Sequence, residues 1–138
     1  MRRLIALLPV VALATSCALR AQSGAAAAPA LDGTYDAAGT NPDGSAYVAV
    51  VSVRTLGGVP RVQWLVGDGT SMVGLALLSD DGHLSVIFSA GASGLAGLAA
   101  CAVDLRGGLV HAASCRWLLA DGMASAGTET WRRRAASA

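Results

Sequence analysis

Residues 31–53 read LDGTYDAAGTNPDGSAYVAVVSV. Two β-prone segments flank Gly39-Thr40-Asn41-Pro42-Asp43-Gly44-Ser45. In the second, Tyr47, Ala49, Val51 and Val53 share one face, while Ser52 and Arg54 fall on the other. A period of two marks a strand with one buried face. The residues between are suited to a turn. Pro42 presets φ, Asp43-Gly44 pairs a residue tolerant of left-handed backbone with one that adopts it freely, and Asn41 and Ser45 can bond nearby amides. The stretch reads as a hairpin. Its loop, with Asn41, Asp43 and Ser45 presented at a rim, is also a candidate binding loop, because rim loops carry recognition.

The same grammar continues downstream. Turn signals recur at Gly57-Gly58-Val59-Pro60, Gly67-Asp68-Gly69, Asp80-Asp81-Gly82, residues 91–97, Gly107-Gly108 and Asp121-Gly122. With the first loop they make seven punctuations, hence eight strands. Val62, Trp64 and Val66 oppose Arg61 and Gln63, and Leu84, Val86 and Phe88 oppose His83 and Ser85. No segment after residue 30 has helical spacing, which argues against βαβ units. Eight short antiparallel strands in meander order predict an all-β, up-and-down β-barrel over residues 31–131. A two-sheet sandwich is the alternative, but closure has the advantage of leaving no exposed edge. Such a barrel is either filled by side chains or just wide enough for one small ligand. Trp64, Phe88, Leu105 and Trp117, mixed with many alanines and glycines, leave both outcomes open. A cavity would be lined by Tyr47, Trp64 and Trp117.

The amino terminus reads as an export signal. Met1-Arg2-Arg3 precedes the apolar run 4–14, which is too short to span a bilayer. Leu13-Ala14-Thr15-Ser16-Cys17 resembles a bacterial lipobox with Ala14 where leucine is usual. Residues 1–16 are then a signal peptide and Cys17 is lipidated, giving a periplasmic or outer-membrane-anchored lipoprotein. Cleavage after Ala14 or Ala21, giving a secreted protein, is the competing reading. Residues 17–30, low in complexity and rich in alanine, read as a tether, and residues 132–138 as a basic disordered tail.

Export permits a disulfide between the two remaining cysteines. Residues 98–105 and 109–119 read as strands around Arg106-Gly107-Gly108. A three-residue loop 107–109 would pair Arg106 with Val110 and set Cys101 opposite Cys115. A one-residue slip would instead leave two buried thiols.

All ten cations are arginines. Removing Arg2 and Arg3 leaves eight against nine acids, which excludes a strongly basic nucleic-acid footprint. His83 and His111 lack companions at metal spacing, no Gly-x-Ser-x-Gly elbow is present, and neither Asp80-Asp81-Gly82 nor Gly67-Asp68-Gly69 continues into a calcium-ligand series. The expectation is therefore no enzyme, no metal and no cofactor.

Gly33-Thr34-Tyr35, Gly39-Thr40-Asn41-Pro42-Asp43-Gly44-Ser45 with Tyr47, Arg61-Val62-Gln63-Trp64, and Gly127-Thr128-Glu129-Thr130-Trp131 resemble a group of small exported bacterial proteins, some carrying a fibronectin-binding label. That group has no established catalytic residues. Gly33-Thr34-Tyr35 also resembles the Gly-x-Trp opening of lipocalin-like and avidin-like barrels, which supports the architecture. Two functions follow as expectations. One is a non-enzymatic envelope interaction module, an adhesin or inhibitor, that meets a protein or matrix partner through its exterior and loops. The alternative is a small-ligand carrier. The first predicts a filled interior and an apolar or loop-borne patch, and the second an open cavity. Membrane attachment would be by the lipid anchor only.

Overall fold

The computed structural model of the protein describes residues 30–91, 94–121 and 125–135. The signal segment, Cys17 and the tether through residue 29 lie outside them. The eight strands are β1 (Gly33–Thr40), β2 (Ala46–Leu56), β3 (Val59–Val66), β4 (Ser71–Leu78), β5 (His83–Ala90), β6 (Leu95–Arg106), β7 (Leu109–Leu119) and β8 (Gly127–Arg133). Each pairs antiparallel with its neighbour, and β8 pairs back onto β1, so the sheet is a closed barrel and not a sandwich. Closure joins Tyr35–Thr40 of β1 to the Gly127-Thr128-Glu129-Thr130-Trp131 end of the chain, with Thr40 opposite Thr128 and Ala37 opposite Trp131.

Alternation sorts the side chains as the sequence implies. Ala49, Val51 and Val53 of β2, Val62 and Trp64 of β3, and Leu84, Val86 and Phe88 of β5 are buried in the lumen. One end of the barrel is packed solid by Leu31, Tyr35, Val53, Val62, Leu84 and Val110. Two tight turns lie at this end. Gly57-Gly58 and Gly107-Gly108 each place two successive residues at positive φ (59° and 80°; 56° and 77°), the geometry of a type I′ hairpin, which only glycine adopts freely at both positions.

The second of these turns corrects the expected register. The loop holds two residues, not three, and pairs Arg106 with Leu109. A bulge then inserts His111, so that Asp104 meets Ala112 and the offset returns to the one that sets Cys101 opposite Cys115. The bulge also moves the inward set from Val110 to Ala113 and Cys115, all three buried. Cys101 and Cys115 form a disulfide inside the barrel.

Both chain ends are also more engaged than expected. Ala30, assigned to the tether, bridges to Leu109, and its amide donates to Gly108 O at 2.8 Å. Arg132 and Arg133, assigned to a disordered tail, belong to β8. Arg133 seals the packed end. Its guanidinium lies 4.9 Å from the centre of the Tyr35 ring and donates to the Tyr35 hydroxyl at 2.6 Å, to Val110 O at 2.5 Å and to Asp32 O at 2.7 Å. Five donors in a fixed fork let one arginine satisfy several carbonyls where the lumen meets solvent. Arg134 pairs with Asp36 at 2.5 Å on the surface. Residues 136–138 lie outside the described set.

The outer wall is uneven. On β4 to β7, Leu75 stands opposite Ile87, Ile87 opposite Leu98, and Leu98 opposite Leu118, an exposed apolar row across four strands.

The disulfide closes a loop between residues 14 apart. Replacing both Cys101 and Cys115 by serine is expected to lower unfolding free energy by about 3 kcal/mol, read as an earlier denaturant midpoint at unchanged slope. An unchanged midpoint would contradict a stabilising bridge.

Candidate functional site

At the other end, reached from the ends of β1, β3, β5 and β7, the lumen is hollow. A cavity of about 230 Å³ opens there, walled by Tyr47, Trp64, Met72, Phe88 and Trp117, with Glu129 on one side and Asn41, Asp68 and Thr70 at the mouth. The expected trio Tyr47, Trp64 and Trp117 is thus brought together. The expected loop residues separate. Asn41 reaches the mouth, whereas Asp43 and Ser45 are exposed and occupied with each other: Ser45 N and Oγ donate to Asp43 Oδ1 at 2.9 and 2.6 Å, and Asn41 Nδ2 donates to Ser45 Oγ at 2.9 Å. These bonds hold the Asp43 carboxyl below its usual range. Neither residue lines the cavity.

The aromatic wall is continuous. Centroid separations are 6.5 Å for Tyr47 and Trp117, 6.3 Å for Trp117 and Phe88, 5.8 Å for Phe88 and Trp64, and 5.9 Å for Trp64 and Trp131, all tilted or edge-on. Quadrupoles favour such contacts over a face-to-face sandwich. The rings can lie against the wall because the strand beside each offers a glycine. Gly39 is opposite Tyr47, Gly74 and Gly97 flank Phe88, and Gly127 is opposite Trp117. A Cβ at Gly97 would sit 2.3 Å from the Phe88 ring, and one at Gly127 would sit 2.1 Å from the Trp117 ring. These glycines are required for space and not for backbone freedom.

Glu129, the only glutamate in the chain, is 5% exposed. Its Oε2 accepts from the Tyr47 hydroxyl at 2.8 Å, and its Oε1 accepts from Trp64 Nε1 at 3.0 Å and from Trp131 Nε1. A buried carboxyl is costly unless hydrogen-bonded, and three donors meet that need. Burial, then the adjacent Glu129 charge, push the Tyr47 hydroxyl far above its ordinary range. The nearby Trp117 indole opposes this weakly without making a hydrogen bond of regular geometry. The Trp117 N–H is buried without an acceptor. His83 and His111 lie toward the packed end and line none of the cavity.

No protein-family model matches the chain, and no curated protein matches it. Solved structures do. A redesigned β-barrel matches 80% of this chain and 100% of its own at TM-score 0.63 and 18% identity. A redesigned barrel bound to DFHBI matches 75% and 94% at TM-score 0.61 and 18% identity. A de novo designed fluorescence-activating barrel matches the same shares at TM-score 0.54 and 15% identity. The likeness is one of fold.

Glu129 and Phe88 were not among the expected site residues. Phe88 was assigned to the lumen by alternation. Glu129 carried a signal that went unused, since Gly127, Glu129 and Trp131 share the inward parity of β8 and place a lone carboxyl in an apolar interior.

Both tyrosines of the chain are held neutral. Burial raises Tyr35 as well, against the pull of Arg133. Spectrophotometric titration of the folded protein is expected to show both tyrosines ionising later than a free tyrosine, which does so near pH 10. The folded pKa values are raised, so this stabilisation is complete below about pH 10 and is lost as pH climbs from there, because the unfolded chain releases the protons first. Both tyrosines titrating with the midpoint of a free tyrosine while the fold is intact would contradict the assignment.

Proposed function

We propose that the protein is an exported, non-catalytic binding barrel that takes a small ligand in its mouth cavity. The observation that carries this reading is the hollow itself. The packed end has no room, while the mouth keeps about 230 Å³ between aromatic walls. An apolar cavity of about 150 Å³ accepts benzene, and drug-sized ligands occupy about 300–1,000 Å³, so the ligand suited here is smaller than a typical drug. Export is supported by the buried Cys101–Cys115 bridge, since such bonds persist in oxidising compartments. A barrel of related fold has been solved with DFHBI, a small-ligand precedent for the architecture.

A second reading is favoured by a different observation. Leu77 and Ile87 are 72% and 67% exposed on the apolar outer face of β4 and β5, as an interaction module binding a protein or matrix partner would require. This reading keeps the resemblance to exported proteins labelled fibronectin-binding.

Titration with phenol, a small neutral aromatic, separates the two. Under the cavity reading the indole resonances of Trp64 and Trp117 shift saturably, and Ala99→Leu, which fills the lumen at a buried lining position, abolishes the shift while the protein stays folded. Phenol that leaves those resonances unmoved at millimolar concentration would sink the cavity reading.

A further inference from the structure

The cavity has an electrostatic sign. The two indoles donate to Glu129 Oε1 and the Tyr47 hydroxyl donates to Oε2, so the carboxyl group accepts on both oxygens. Each of these donors is neutral. Among the described residues no arginine or histidine lies within ion-pair distance of Glu129; Arg106 pairs instead with Asp104 and Arg134 with Asp36, both on the surface. None of the described arginines lines the cavity. The second charge at the site is Asp68 at the mouth, whose carboxyl the Thr70 backbone amide and hydroxyl hold below its usual range.

The walls have the same preference. Tyr47, Trp64, Phe88 and Trp117 enclose the hollow, and an aromatic face attracts a cation within about 6 Å of its centre, most strongly when the pair is removed from water. An anionic ligand would meet Glu129 and Asp68 with no compensating charge. A neutral ligand would leave the Glu129 charge without a counterion. Resting on the proposed small-ligand reading and narrowing it, we infer that the cavity is built for a small organic cation, an alkylated ammonium head caged by Trp64, Phe88, Trp117 and Tyr47 beside Glu129.

Choline carries such a head, and dimethylbutanol with carbon in place of nitrogen is its neutral isostere. All three tryptophans of the chain are in this cavity wall or joined to it through Glu129, so intrinsic fluorescence reports occupancy. The full protein is expected to bind choline at least about tenfold more tightly than the isostere. Glu129→Gln keeps the shape and removes the charge, and should bring the ratio towards one while isostere binding persists. Asp68→Asn, at an exposed position, should weaken choline by a smaller factor without disturbing the fold. Equal affinity for choline and the isostere, or binding of the isostere alone, would overturn the cation inference and leave the small-ligand reading standing. Failure of both to bind would also overturn it, and the phenol titration then decides whether the cavity takes any ligand.

Discussion

A single carboxylate with three neutral donors ties the interior together. Glu129 on β8 receives Tyr47 from β2, Trp64 from β3 and its own strand neighbour Trp131, so one side chain links three strands across the lumen. Removing it would leave two indoles and a phenol without their acceptor, at roughly 1–3 kcal/mol for each group left unsatisfied. Its neighbours are therefore constrained to present donors. The network also divides the barrel: beneath it Trp131 and Tyr35, with ring centres 5.7 Å apart, begin the packed end, and above it the lumen stays open.

Space is the second constraint. An eight-stranded barrel encloses a lumen about one side chain across, so several large rings at one level would ordinarily fill it. Here they do not, because glycines on the neighbouring strands let the rings lie along the wall. The packed end uses the opposite solution. Valines, leucines and Tyr35 meet across the axis, and the Arg133 guanidinium covers them. Fold and cavity thus come from one economy of large residues set against small ones, and the bulge at His111 keeps β7 in phase with it.

Much of this was legible from the chain because its causes are local. Gly57-Gly58 and Gly107-Gly108 announce tight turns, and the alternation of Tyr47, Ala49, Val51 and Val53 shows which face is buried. The features that escaped depend on partners distant in sequence. Arg133 reads as part of a solvated tail until β8 pairs with β1 and brings it over Tyr35, 98 residues away. The inward parity of Glu129 can be read from β8, but its partner Tyr47 lies 82 residues away. The Cys101–Cys115 pairing was reached through a loop one residue too long, and the bulge restored the offset. The apolar outer row on β4 to β7 runs against alternation, since Leu75 and Leu77 are as hydrophobic as the inward residues beside them.

The central claim is that Glu129 accepts from both Trp64 and Trp131 inside the barrel. The chain has three indole N–H groups, which makes hydrogen exchange of their resonances the most direct measurement. The account predicts that the Trp64 and Trp131 indole protons are strongly protected, and that Glu129→Ala exposes both to exchange. Exchange of those two protons in the unmodified protein at the rate of a free indole would contradict it.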